Sequence, residues 1–554
     1  MKIIYTTDVH GSFFPYDYVN QEPASGSLAR VKNAVDSIRK ENENVVLLDN
    51  GDILQGQPIV YYYNYIATDR SHILPRLYDF LGYDAATVGN HDIETGHPVY
   101  DRVYTECRIP IIVANIIDKK SKKPYFKPYV LLEKGGIRIA VLGMITPAIP
   151  GWLPEVLWED MEFEDIENSA SKWVSVIQSI EKPDVIIGLF HSGRDASKKT
   201  GNYIENASME VAKNVPGFDA IFMGHDHQRF ISEITNKDGQ PVWVLNPANN
   251  ANSIGVLDIT LSRDSCKTKR LSASIVDVRA MTPSAEFLDE FKDDADAVSK
   301  FVEREIGVAN GAFYSKDAFF GPSAFMTLLH RLQLKISGAE VSFAAPLSFS
   351  SKINAGKLTV SDMFKLYKYE NMLYTMDLTG LEIKNYLEKS YDLWTKQITA
   401  DQPHLINFES DSPNHSNNRL KNPSYNFDSA AGIIYTVDVT KPFGERINIL
   451  SMSDGTPFDY DRHYTVAVNS YRGNGGGNLL TEGAGIPAGK LSERVIRSTD
   501  KDLRYYLLKE IELIGTINAD VDNNWRFVPE DVASKAIVMD EDLLFSDKAS
   551  KEQK

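Results

Sequence analysis

Short apolar runs punctuate the first half of the chain, and most of them stop on a polar turn residue. The runs lie at 3–5, 45–48, 86–88, 111–114, 137–142, 185–189, 220–223, 242–245 and 255–259. Brief runs rich in Val, Ile and Leu, bounded by Gly, Asn, Asp or His, predict buried strands. Between them, 28–40 and 166–180 repeat apolar residues at helical spacing. Strands alternating with helices up to about residue 260 predict an α/β region of stacked sheets with outer helices. In such a region ligands collect at the strand ends.

The pattern then changes. Phe287, Phe291, Val298, Phe301, Val302 and Ile306 recur among Asp, Glu and Lys, a spacing that fits an amphipathic helix. We read 284–309 as a linker helix, with an ordinary packed helix of either domain as the competing expectation. Residues 310–530 read as a second globular region of helices and strands. It holds Phe320-Gly-Pro-Ser-Ala-Phe325, Ala345-Pro-Leu-Ser-Phe349, Tyr425-Asn-Phe427-Asp428 and a glycine-rich stretch from Asn469 to Gly477. The polar segment 401–424 is expected to be a surface loop, and 531–554 a charged C-terminal tail. The expected domains are therefore 1–283, a linker at 284–309, 310–530 and the tail.

Composition narrows this picture. A chain of 554 residues exceeds what one core usually serves. Its net charge of −17 argues against a nucleic-acid partner, which needs a basic surface. It leaves room for a small phosphate-bearing substrate if metals supply local positive charge. The two cysteines, Cys107 and Cys266, do not suggest a disulfide framework. No apolar run is long enough to span a bilayer, and no protein partner is implied. The first strand begins at once, so the chain as written reads as cytoplasmic, or as periplasmic or extracellular if a signal was trimmed.

The candidate chemistry sits where the strands end. Five clusters of Asp, Asn and His follow apolar runs: Asp8-Val-His10, Gly51-Asp52, Gly89-Asn90-His91-Asp92, Phe190-His191-Ser192 and Gly224-His225-Asp226-His227. A lone Asp-x-His is usually a plain turn; five such clusters in series are not. Hard divalent cations take carboxylates, and zinc, manganese and iron also take imidazole. Two such ions roughly 4 Å apart bind phosphoryl oxygens, bring the pKa of a bound water toward roughly 7 and neutralise charge during in-line attack. Asp52 has two oxygens and can bridge the pair. His91 is poorly placed to share a metal with Asn90 and can instead face a leaving-group oxygen, with Glu94 hydrogen-bonding its ring.

With these residues in hand, the chain resembles the 5'-nucleotidase family of calcineurin-like metallophosphoesterases over nearly its whole length. The resemblance implies an N-terminal calcineurin-like β-sandwich flanked by helices, joined by a linker helix to a C-terminal α+β substrate domain. It implies one metal on Asp8, His10, Asp52 and His227, and another on Asp52, Asn90, His191 and His225, each a divalent ion (Mn, Zn, Fe, Co or Mg). His91 matches the family's transition-state histidine. The family often places Asp three residues later, where this chain has Glu94. The implied activity is hydrolysis of nucleotide phosphoesters by metal-bound hydroxide, with the nucleoside held between two aromatic rings. Tyr425 or Phe427, with Tyr471, are the expected stacking residues; the competing expectation is that these aromatics are core. Asn474 and its glycine neighbours are expected to bring backbone amides to the ligand. The second-half phrases look most like the 2',3'-cyclic-nucleotide 2'-phosphodiesterase/3'-nucleotidase branch. The alternatives are a 5'-nucleotidase or UDP-sugar hydrolase, or a metal-binding protein with a vestigial hydrolase centre.

Overall fold

The computed structural model describes residues 1–197, 199–200, 203–262, 269–410 and 420–545. It divides into two units, Met1–Val302 and Glu303–Lys554.

Two sheets form the centre of the first unit. One has the strand order Lys269–Asp277, Ser253–Leu261, Lys2–Thr6, Val45–Asp49, Ala85–Ala86; the other runs Phe230–Thr235, Pro241–Asn246, Ala220–Met223, Val185–His191, Ile137–Ile145, Tyr129–Lys134. The middle strands of each are parallel, and the outer hairpins antiparallel. Side chains alternate between faces, as strand geometry requires. Ile3 and Tyr5 join Ile139, Val141, Ile187, Leu189 and Phe222 in one core, whereas Ile4 joins a second core with helical residues. The first core lies between the sheets, where Tyr5 stacks on Phe222 with ring centroids 4.4 Å apart.

Helices cover both outer faces. Leu28–Glu41 is capped by Ser27, whose side chain accepts from the Arg30 amide, and buries Leu28, Val31 and Val35. Ile166–Ile180 is capped by Asp165 and buries Ile166, Ala170, Val174 and Ile177 against the other sheet. The chain is thus an α/β sandwich here, as the apolar runs predict.

The differences are at the edges. Residues 111–114 make only isolated bridges at Ile111 and Ile112 rather than a strand. Phe230–Thr235 and Lys269–Asp277 are edge strands that interleave polar with apolar residues, so they show no long apolar run; the edge strand Tyr129–Lys134 carries a half-buried one, 129–132, absent from the expected set. The expected linker helix is instead two helices, Ala285–Glu290 and Lys292–Glu303, followed by the strand Glu305–Asn310. Phe287, Phe291, Val298 and Val302 are at most 1% exposed and pack into the first unit's core. Burial that complete makes the helices part of that unit.

The second unit is α+β. A five-stranded sheet orders Ser429–Ala431, Val341–Ala344, His463–Asn469, Met372–Thr379 and Val495–Asp502, and two three-stranded sheets accompany it. Gly380–Trp394 starts from a Thr379/Glu382 capping box and buries Tyr386, Leu387, Tyr391 and Trp394. The expected loop at 401–424 contributes Leu405, Ile406 and Phe408 to the core; its stretch 411–419 lies outside the described residues. The expected tail is a helix, Glu530–Phe545, that buries Ala533, Ala536 and Leu544. Its buried Asp540 accepts from the amides of Leu405 and Ile406, 2.8 Å each. Small and charged residues on the buried face hide such a helix from a hydropathy reading. Residues 546–554 lie outside the described residues.

Cys107 is a free thiol, pushed up to about 12 by burial; Cys266 lies outside the described residues. No helix among the described residues is long and apolar enough to cross a membrane.

Candidate metal centre

Asp8 and His10 follow Lys2–Thr6, Asp52 follows Val45–Asp49, Asn90 and His91 follow Ala85–Ala86, His191 ends Val185–His191, and His225 and His227 follow Ala220–Met223. These are the C-terminal ends of the parallel strands. Several of the residues stand in the left-handed region, with φ of 50° at Asp8, 49° at His10, 55° at Asp52, 72° at His225 and 57° at His227. Each such non-glycine residue costs about 1–2 kcal/mol and persists only where surrounding contacts enforce it. Those contacts are present: the Asp8 amide donates to Gly51 O (3.0 Å) and the His10 amide to Asp52 O (2.9 Å). Gly89 is needed for close approach, since a Cβ there would lie 2.1 Å from Asp52 Oδ1.

The side chains converge. One ligand atom each from Asp8, His10, Asp52 and His227 lie within 4.8 Å of one another, and the same holds for Asp52, His191 and His225. Asn90 Oδ1 completes the second group, 3.2 Å from His191 Nε2 and 2.7 Å from His225 Nδ1. His10 Nε2 and His227 Nε2 face each other at 3.0 Å, while His10 Nδ1 is engaged by Gln55 O (3.2 Å). Two imidazole nitrogens that close, beside two buried carboxylates, form a candidate cation site. Burial would raise the Asp8 carboxyl, but His191 and His227 outweigh it and leave the group lowered to about 2. Burial and the His227 charge push His10 down to about 3, the neutral form that a metal ligand needs.

His91 stands beside this group, its ring centroid 5.5 Å from that of His10. Its amide donates to Asp52 Oδ1 (2.8 Å), and its Nδ1 lies 2.5 Å from Glu94 Oε2. Burial lowers its pKa, but the Asp52 and Glu94 carboxylates outweigh that and raise it to about 9. Glu94 reaches the ring despite being longer by a methylene than the Asp often found there in the resembled family.

Residues 1–229 match the calcineurin-like phosphoesterase family, and residues 305–482 match the 5'-nucleotidase C-terminal domain. The chain thus joins a calcineurin-like phosphoesterase region to a 5'-nucleotidase C-terminal domain. It is 27% identical to the trifunctional nucleotide phosphoesterase protein YfkN of Bacillus subtilis over 99% of this chain, which spans 40% of that relative. It is 27% identical to a 2',3'-cyclic-nucleotide 2'-phosphodiesterase/3'-nucleotidase of Haemophilus influenzae over 96% of this chain and 87% of the relative. A 5'-nucleotidase candidate from Staphylococcus aureus, solved in complex with alpha-ketoglutarate, shares the fold. Its TM-score is 0.78 at 20% identity, covering 95% of this chain and 99% of that one.

Members of this metallophosphoesterase family use divalent metals, and the mixed carboxylate, amide and imidazole set suits such ions. In the 5'-nucleotidase-type domain, Tyr425 and Tyr471 are half-buried and meet edge to face, ring centroids 6.3 Å apart. Asn474 hydrogen-bonds the Tyr374 hydroxyl. Phe427 must be corrected: it is fully buried and stacks on Trp394 with centroids 5.5 Å apart and planes 4° from parallel, so it serves the core and offers no face to a ligand.

Several residues escape a reading by motif. Asp92 accepts from the amides of Gly89 (2.8 Å), Asp52 (2.9 Å), Ile53 (2.9 Å) and Leu54 (2.8 Å). It thereby ties the Asp52 turn to the Asn90 turn. Arg472 is 1% exposed and pairs with Asp428 (2.8 Å) while donating to Tyr425 O (2.6 Å) and Gly476 O (2.6 Å). It clamps the Tyr425 and Tyr471 segments together. The signal for Asp92 lay inside the Gly-Asn-His-Asp phrase; Arg472 had only its place between Tyr471 and the glycines.

Proposed function

We propose that this chain is a two-metal nucleotide phosphohydrolase that acts on 2',3'-cyclic nucleotides and 3'-nucleotides. The observation that carries the reading is the convergence of two carboxylates, one amide and four imidazoles where the strand ends of the two sheets meet, with His91 alongside. Asp8, His10, Asp52 and His227 would hold one divalent cation, and Asp52, Asn90, His191 and His225 the other. When bound, such a pair supplies Lewis acidity to the phosphoryl oxygens and makes water acidic enough to attack near neutral pH. The chain's own part is orientation and proton handling. Asp92 and the backbone around Asp52 hold the ligands in place. His91, oriented by Glu94, donates a hydrogen bond or proton to the ribose oxygen as its bond to phosphorus breaks. Tyr425 and Tyr471 stack on the base, and Asn474 lines the same region.

The choice of cyclic and 3' substrates is supported by the names of the Haemophilus influenzae relative and of a Salmonella typhimurium relative 28% identical over 96% of this chain. The test is a panel of 2',3'-cyclic AMP, 3'-AMP, 5'-AMP and UDP-glucose on metal-reconstituted protein. The expected result is turnover of the first two well above the others. Preference for 5'-AMP or UDP-glucose would replace the assignment with the alternative specificity. Bound metal with no turnover on any of the four would point to a vestigial centre.

A further inference from the structure

His225 differs from the other histidines of the cluster in the nitrogen it presents. His10 and His191 engage Nδ1 on the carbonyls of Gln55 (3.2 Å) and Asn50 (2.7 Å) and turn Nε2 inward. His227 likewise turns Nε2 toward Asp8 (3.3 Å), with Asn249 at its Nδ1 (3.0 Å). His225 is reversed: its Nδ1 faces Asn90, and its Nε2 meets Glu205 Oε1 at 3.0 Å. A neutral imidazole that donates from Nε2 has its lone pair on Nδ1. A carboxylate on the outer nitrogen both fixes that tautomer and strengthens the ligand. Trp152 lies over the ring, centroids 5.5 Å apart and planes 26° from parallel, which limits its rotation.

Glu205 is itself fastened. Ser192 Oγ donates to Glu205 O (3.1 Å), Asn206 Oδ1 accepts from the Gly193 amide (2.9 Å), and Ser208 Oγ donates to Ser192 O (2.7 Å). These bonds tie the segment 205–208 to the turn that follows His191. The Glu205 side chain is 20% exposed, so its hydrogen bond is shielded from much of the solvent.

We propose that Glu205 is a positioning residue: it sets His225 with Nδ1 toward the second cation position and couples that position to the His191 strand end. This rests on the two-metal reading above. The test combines competitive zinc titration with nitrogen-15 NMR of histidine rings in the zinc-loaded protein. Wild-type protein is expected to take two zinc ions. Glu205→Ala should weaken one of them by about 10–100-fold and leave the other unchanged. Glu205→Gln, which keeps an accepting oxygen, should recover most of that loss. NMR of the wild type should show His225 protonated at Nε2 and metallated at Nδ1, a measurement that needs no variant to fold. Unchanged binding of both ions in Glu205→Ala, equal weakening of both, a Gln variant as weak as the Ala variant, or metallation of His225 at Nε2 would each overturn the proposal. Wild-type protein that binds no zinc would overturn the two-metal reading along with it.

Discussion

In the first unit the chemistry-bearing residues stand at the ends of parallel strands; in the second the aromatics Tyr425 and Tyr471 stand on short helical turns and loops. The difference decides how far a sequence carries. Parallel strands of one sheet end at one edge, and two such sheets packed face to face bring those edges together whatever the intervening helices do. Asp8 follows a strand of one sheet and His227 a strand of the other, 219 positions on, yet their ligand atoms lie 3.3 Å apart. Loop aromatics have no such frame. Tyr425 and Tyr471 are oriented by Arg472, a buried arginine whose neutralisation by Asp428 and whose carbonyl contacts cannot be read from spacing.

This contrast can be broken at several points. The largest effect is expected at His91. His91→Ala should lower kcat by about 10²–10⁴-fold while metal content, measured by elemental analysis, stays at the wild-type value. Near-native turnover would remove His91 from the chemistry. Gly89→Ala comes next, because the added Cβ would press on Asp52 from 2.1 Å. Misplacing this proposed ligand by about 1 Å should cost about 100-fold in kcat/KM, and wild-type activity would show that the strand ends are more tolerant than their packing suggests.

In the second unit, Tyr471→Ala or Tyr425→Ala should raise KM by roughly 5–150-fold, the equivalent of about 1–3 kcal/mol of base stacking, with kcat little changed. Phe427→Leu sharpens the comparison: it should lower Tm and leave KM alone, because Phe427 faces Trp394 in the core. A KM effect at Phe427 equal to that at Tyr471 would contradict the correction made above.

The smallest effect concerns pH. Among the described residues, each unit buries one neutral histidine away from the metal cluster, His72 in the first and His330 in the second, and burial lowers both to about 3. His72 accepts from the Leu74 amide and sits 3.1 Å from Asn64 Oδ1; His330 lies between Ser342 and Ser429, with Asp522 pulling weakly the other way. The folded pKa is below the unfolded one, near 6.5. Stability from the neutral form is therefore complete above about 6.5 and is lost as pH falls toward 3. By pH 5 each site should cost about 2 kcal/mol. Denaturant unfolding of His330→Gln should show a shallower loss between pH 6.5 and 5 than wild type; an identical slope would exclude the site.

Much of the first unit was legible because its central strands are buried on both faces and read as unbroken apolar runs. Its edge strands were not, because Phe230–Thr235 alternates half-exposed and exposed positions. The seven proposed ligands and the His91–Glu94 pair could be picked out because strand-end Asp, Asn and His have few structural uses in such company. Asp92 and Glu205 were hidden for the opposite reason: acidic residues in turns are common, and only the four amides on one and the imidazole on the other mark them. Phe427 was misread because its neighbours are polar while its own side chain reaches Trp394. The helix Glu530–Phe545 was misread because its buried face includes Asp540 and two alanines.

The central claim is that these strand ends hold two cations sharing Asp52. Anomalous diffraction from crystals soaked in manganese tests it directly. Two peaks roughly 4 Å apart, both within bonding distance of Asp52, are predicted; a single peak, or none touching Asp52, would contradict it.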